Sequence, residues 1–253
     1  MSDARADLRR FAELDYDGFR ALARDPSLSP YEKIGFPDSY RDSYEEAILD
    51  DIRAKLPALD AREQLVIDIG CGCSGLPRLL IDHCAAHGHE LLLVDSQEML
   101  DLLPDTPRAT KLAGRFPDTP AVRARGDGKA AAVIVYSVLH YVFEHGDLHG
   151  FCDAAVALLA PGGRLLIGDV PNASLRGRFF RSPEGVAFHQ AFMGTLEQPV
   201  VRAPELTPGA IDDGVLVGLV VRYRLAGFEA YLVPQNPRLP MANRREDLLI
   251  VRH

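Results

Sequence analysis

The run Leu65-Val66-Ile67-Asp68-Ile69-Gly70-Cys71-Gly72-Cys73-Ser74-Gly75 narrows the folds open to this chain more than any other segment. It reads as a short apolar strand ending in a carboxylate, a glycine-rich turn, and a helix from Leu76 onward. Glycine at 70 and 72 lets the backbone turn with positive φ and lets a ligand lie against bare main chain. The helix that follows offers free N–H groups and the positive end of its dipole. A second apolar strand, Leu91-Leu92-Leu93-Val94, ends in Asp95, an acid placed to bind the two hydroxyls of a ribose. A nucleoside-containing cofactor is therefore the first expectation.

The spacing Gly70-x-Gly72-x-x-Gly75 also satisfies the dinucleotide fingerprint, so two cofactors compete. Asp68, two residues before Gly70, decides against a pyrophosphate, which it would repel, and suits the ammonium of a methionine moiety. The unit begins at residue 65 rather than near the N-terminus, and no Tyr-x-x-x-Lys pair is present. With Val66–Cys73, Leu92–Asp95, Val133–Tyr141 and Leu159–Ile167 in this order, the chain resembles the class I S-adenosylmethionine-dependent methyltransferases over roughly residues 60–170. It departs from their pattern at Ser74, where many members carry a third glycine, and at Ala131-Ala132, where many carry an acid.

The resemblance implies an α/β fold: a doubly wound, mostly parallel seven-stranded Rossmann-like sheet whose last strand runs antiparallel. The pattern divides into a helical extension (1–57), the cofactor-binding core (58–170), a lid or substrate segment (171–214) and a C-terminal helix with a strand hairpin (215–253). Leu8, Phe11, Leu14, Phe19 and Leu22 mark an amphipathic first helix. Ser39 is read as the N-cap of a second helix with Ile48, Ile52 and Leu56 buried and Pro57 ending it. Strands are expected at 65–69, 90–95, 109–113, 132–137, 164–169, 228–233 and 247–251. Helices are expected at 75–87, 97–103, 147–159, 184–194 and 212–225. Pro161-Gly162-Gly163 reads as a turn, and 118–130 as irregular.

The formal charge of −8 argues against a nucleic-acid partner. No apolar run approaches the ~20 residues of a membrane span, and Met1–Asp7 lacks a signal-peptide core, so a cytoplasmic location is expected. Cys71, Cys73, Cys84 and Cys152 read as reduced thiols. A zinc set of Cys71, Cys73, His83, Cys84, His87 and His89 is disfavoured, because a helix of about ten residues would hold its two ends ~15 Å apart. No metal is expected.

Ligands of open parallel sheets lie beyond the carboxyl ends of the strands. By resemblance, Asp68, Gly70, Cys71 and Gly72 hold the amino-acid end of S-adenosylmethionine, and Asp95 with Ser96 and Met99 its ribose and adenine. Gly114, Arg115 and Phe116 line the adenine, with Asp118 as an acceptor for its amino group. Tyr136 and Ser137 face the reacting end. His140 is the first candidate for a base, His189 a second, and Tyr136 shapes the same pocket. The acceptor side draws on Tyr141, Asp169 and Asn172, on Tyr31, Lys33, Tyr40 and Arg41 from the extension, and on Arg176 and Arg181. With Arg178 these two arginines form a local cationic excess suited to an anionic acceptor.

The expected activity is transfer of a methyl group from S-adenosylmethionine, leaving S-adenosylhomocysteine, to a small-molecule acceptor. The segments Lys33–Tyr40, Pro234–Pro240 and Arg245–Ile250 resemble members found with bacterial surface-polysaccharide genes. That suggests O-methylation of a sugar, phosphate or phosphoramidate group of a glycan precursor. Tyr136-Ser137-Val138-Leu139 stands where amino-methylating nucleic-acid enzymes carry Asn/Asp-Pro-Pro-aromatic. The rival readings are a nicotinamide-dependent oxidoreductase and a non-catalytic scaffold with the same fold. A homodimer is compatible with each.

Overall fold

A computed structural model describes residues 14–38, 43–201 and 209–253. Seven strands form one sheet: β1 (Leu65–Ile69), β2 (Glu90–Asp95), β3 (Ala109–Ala113), β4 (Ala130–Tyr136), β5 (Leu159–Pro171), β6 (Glu229–Pro234) and β7 (Arg245–Val251). Their order is β3-β2-β1-β4-β5-β7-β6. Strands β1 to β5 pair in parallel, and β7 runs antiparallel to both β5 and β6. This is the doubly wound, mostly parallel sheet expected from the alternation of strands and helices.

The central strands are apolar on both faces, as strands covered on two sides must be. Ile67, Ile69, Leu92, Val94, Val133 and Val135 pack on one face, together with Phe151, Cys152 and Leu216. Val66, Leu91, Leu93, Ala132 and Ile134 pack on the other, with Ile48, Ile52, Leu80 and Ile81. Period-two alternation within each strand assigns neighbouring residues to opposite layers.

The helices are α1 (Tyr16–Arg24), α2 (Pro30–Lys33), α3 (Glu45–Lys55), α4 (Gly75–His87), α5 (Gln97–Leu100), α6 (Pro120–Gly126), α7 (Leu139–His145), α8 (Leu148–Ala157), α9 (Ala173–Arg181), α10 (Pro183–Met193) and α11 (Asp213–Leu225). The expected residues Leu8, Phe11, Ser39, Tyr40 and Arg41 lie outside the described residues. Helix α3 has Tyr44 at its N-cap, buries Ile48, Leu49 and Ile52, and gives way to a short 3-10 turn at Pro57–Asp60.

Four local expectations are corrected. Residues 120–126, expected to be irregular, form α6, started by Pro120 and anchored by buried Val122 and Gly126. Gly126 packs closely on the sheet: a Cβ there would come within 2.7 Å of Ile67 Cδ1 and 3.1 Å of Leu158 Cδ2. The segment after β4, to which the sequence pattern assigned no element, closes into α7. Strand β5 begins at Leu159, not 164, because the Pro161-Gly162-Gly163 turn stays paired: Gly162 N–H donates to Arg252 O, and Arg252 N–H to Gly163 O. The segment after β5 is helical from Ala173, since the Asn172 side chain accepts from the Ser174 and Leu175 amides.

Candidate functional site

The site begins where β1 and β2 end. Gly70 and Gly72 turn with φ of +73° and +66°, in the left-handed region. Gly70 N–H donates to Val94 O at 2.7 Å. Asp95 completes the link: its Oδ2 accepts from Gly72 N–H at 2.8 Å and its Oδ1 from Ser96 N–H at 2.6 Å. The carboxylate at the tip of β2 therefore holds the glycine turn in place. The two glycines are also required by packing, because a Cβ would meet Val138 at 2.5 Å from position 70 and Ile34 at 2.8 Å from position 72.

A cavity of about 190 Å³ opens over this turn. Gly70, Cys71, Gly72, Ser74, Asp95, Met99, Gly114, Arg115, Phe116, Tyr136, Ser137 and Tyr141 all form its wall. Phe116 stands edge-on to Phe151, with ring centroids 5.2 Å apart. Gly168 leaves space for the Tyr136 ring, which a Cβ there would meet at 2.5 Å. Ser137 and Asp169, at the ends of β4 and β5, both adopt left-handed φ (+61° and +59°), and the Ser137 hydroxyl donates to Asp169. Arg245 donates to the same carboxylate at 2.8 Å.

The N-terminal segment adds Asp15, Tyr16, Phe19, Ile34, Phe36, Glu45 and Ile48 to the wall. Phe19 meets the Tyr141 ring edge-on at 4.8 Å. Arg20 and Arg24 bind Glu98, tying α1 to α5. These exposed guanidiniums hold Glu98 down at about 2, with the Arg20 hydrogen bond the main cause. The wall residues from this segment were not legible as a site, because their apolar spacing serves helix packing equally well.

Several candidates are placed elsewhere. Lys33 is buried and its ammonium donates to the Ala23 carbonyl at 2.9 Å and to that of Asp25, closing the end of α1. Asn172 is occupied as the cap of α9, and its amide donates to Asp213 and Glu246. Arg178 pairs with Asp213, and Arg176 lies over the Phe180 ring. Ser96 caps α5 through Met99 N–H. Tyr31, His140, Arg176, Arg181 and His189 are not part of the cavity wall, and Asp118 is exposed on the outer side. His140 packs on Tyr141, and His189 near Phe180. The imidazole that does line the cavity is His145.

The electrostatics of the site are one-sided. Asp68 lies beneath the turn, 5% exposed, with no hydrogen bond among the described residues. Burial first, and the neighbouring Asp95 second, push its carboxyl up to about 7. Burial also raises Asp95, against the two main-chain donors that favour its charge. Glu45 keeps Oε1 buried with no partner. Such groups are costly unless a ligand completes them.

Asp60, His83 and His87 come within 4.8 Å of one another at the opposite end of α4. Their bonding fits a structural clasp: Arg53 donates to Asp60 at 2.7 Å, and the His83 and His89 rings both donate to Leu59 O. Burial lowers the pKa of His83, which keeps it neutral.

No protein-family model matches the sequence, and no curated protein does. Solved structures do. The chain is similar to the plantazolicin methyltransferase BpumL in complex with SAH, with TM-score 0.58, 11% identity, and coverage of 98% of this chain and 99% of that one. For the plantazolicin methyltransferase BamL, in complex with a triazolic desmethylPZN analog and SAH, the values are 0.57, 13%, and 98% of each chain. For the CurJ carbon methyltransferase they are 0.56, 16%, and 99% of this chain and 67% of that one. These likenesses, with the strand order, define the fold as the Rossmann-like class I methyltransferase fold.

Proposed function

We propose that this protein is an S-adenosylmethionine-dependent methyltransferase acting on a small molecule. The observation that carries the reading is the charge of the cavity. A glycine turn pinned by Asp95 is joined by two carboxyl groups, Asp68 and Glu45, that form no ion pair among the described residues. S-adenosylmethionine brings a sulfonium and an ammonium to such a site, whereas the pyrophosphate of a nicotinamide dinucleotide would meet the acids at the glycine turn. That similar solved structures include methyltransferases bound to SAH supports the same choice.

The residues fit the group. Asp95, at the end of β2, would hold the ribose hydroxyls. Phe116, Gly114 and Arg115 would flank the adenine, and the bare turn at 70–72 the methionine end. When bound, the cofactor supplies a methyl group already activated on sulfur. The protein's task is then alignment and the exclusion of water. Tyr136, Ser137 and Tyr141 would face the acceptor, with Phe19 and Tyr16 closing the cavity from the N-terminal side.

The finer reading is O-methylation of a hydroxyl on a sugar or phosphorylated glycan precursor. Its support is that α9, which carries Arg176 and Arg181 beside the Asp213-paired Arg178, starts at the carboxyl end of β5, the same end of the sheet as the cavity. Asp169, oriented by Arg245 and bonded to Ser137, is the acid on that side best placed to receive a proton through the serine hydroxyl.

Calorimetric titration with S-adenosylmethionine, S-adenosylhomocysteine and NAD tests the reading. Micromolar binding of the first two is expected, none of NAD, and a loss of at least about a hundredfold in Asp95→Ala. Binding of NAD alone would replace the proposal with the oxidoreductase, and binding of none of the three with the scaffold.

A further inference from the structure

We infer that Glu45, carried by the N-terminal helix α3, is the direct ligand of the cofactor's ammonium group, the role that the sequence pattern assigns to Asp68. The inference rests on the methyltransferase reading and adds a recognition residue to its site. Glu45 is 9% exposed, it lines the cavity, and its Oε1 is buried with no hydrogen-bond partner among the described residues. Asp68 is equally buried but is not part of the wall. Its charge acts from below, on Cys71 in the turn and on Cys84 of α4.

The direction of the cofactor follows from the topology. Asp95 ends β2, and the apolar Phe116 wall follows β3, the edge strand. With ribose at the first and base at the second, the amino-acid end runs the other way, over residues 70–75 of β1's turn. Glu45 stands at the far end of that turn: a Cβ on Gly75 would meet its Oε1 at 2.9 Å and its carboxyl carbon at 3.1 Å.

Among the described residues no group hydrogen-bonds to this oxygen. Ser74 makes no cap bond at the start of α4, and Glu45 makes none to the helix amides either. The nearby cation of the extension, Lys33, is spent on carbonyls of α1. Arg115 lies at the adenine side, over the Tyr16 ring and against His145 O. A buried carboxylate oxygen facing a cavity calls for a hydrogen-bond donor, and an ammonium offers three N–H groups together with the opposite charge. The uncharged acceptor hydroxyl proposed above would leave this charge unbalanced.

The test is calorimetry on the full chain with two probes: S-adenosylhomocysteine, and its deamino analogue, which keeps the carboxylate and lacks only the ammonium. Glu45→Gln is expected to weaken S-adenosylhomocysteine by roughly ten- to a hundredfold and to leave the deamino analogue within about twofold. Glu45→Asp, which keeps the charge but retracts it, should fall between wild type and Glu45→Gln, and it serves alone if the glutamine variant does not fold. Equal weakening of both probes would overturn the assignment in favour of a packing role. No weakening of either would overturn it too, placing Glu45 against the acceptor. Failure of wild type to bind S-adenosylhomocysteine would instead remove the cofactor reading itself, and the inference with it.

Discussion

Asp68 shows how one residue ties cofactor binding to stability. Its folded-state pKa, about 7, lies above the ordinary carboxylate value because burial and Asp95 both oppose its charge. A raised folded pKa means that the native state holds the proton more tightly than the unfolded chain. The stabilisation is complete below the unfolded value, near 4, and is lost as pH rises to about 7. Thermal melts of the ligand-free protein should therefore lose stability across this window, by an amount on the order of a few kcal/mol at most. Asp68→Asn should flatten that loss and melt higher than wild type at pH 8. A wild-type profile already flat between pH 4 and 7 would show that the carboxyl is compensated. Asp68 itself was legible from sequence, since an acid two residues before a glycine turn is a local pattern. That the cavity wall holds Glu45 instead was not, because the two residues are brought near the same turn only by packing of α3.

At the level of elements, the turn after β1 and the start of α7 hold one another. Val138 is the N-cap of α7, and its side chain fills the space that a Cβ on Gly70 would need, at 2.5 Å. Gly70→Ala therefore carries two costs: a left-handed φ for an L-residue and a clash with Val138, together about 2–4 kcal/mol of stability. Val138→Ala relieves only the second. The double variant should be more stable than the sum of the singles by about 1 kcal/mol or more in urea melts, and strict additivity would mean that the contact is absent. The boundaries of β1, β2, β3 and α4 were legible because each apolar run ends at a charged residue or a glycine. Helices α6 and α7 were not. Each is seven residues long, with too few buried positions for a 3.6 period to stand out, and a tertiary contact makes each a helix. Helix α9 had a legible start in Asn172, a residue equally suited to touching a ligand until its bonds are known.

Across the whole molecule, one buried ion network joins distant parts of the chain behind the cavity. Lys55 at the end of α3 binds Asp247 of β7 at 2.7 Å, and Asp247 is fully buried. The same carboxylate accepts from Asp169 N–H at 2.8 Å and from Gln235 at 3.1 Å. Asp169 in turn holds Ser137 and Arg245. The Lys55→Met variant leaves that charge without its cation and should cost about 3–5 kcal/mol in chemical denaturation. A loss below about 1 kcal/mol would show that the hydrogen bonds alone carry Asp247. The sequence by itself determined the layers of this protein, the order of its strands along the chain, the longer core helices, and the glycine turn with its two acids. All of these follow from the short-range periods of strand and helix and from backbone freedom at glycine. Only the tertiary structure decided which charged groups remain unpaired in the cavity and which are spent elsewhere. Lys33, Asn172 and Arg178 look available in sequence, and packing gives them partners. Glu45 looks like an ordinary first-turn acid, and packing leaves its Oε1 without one among the described residues. Desolvation and hydrogen bonding depend on neighbours many residues away, and spacing along the chain carries no record of them.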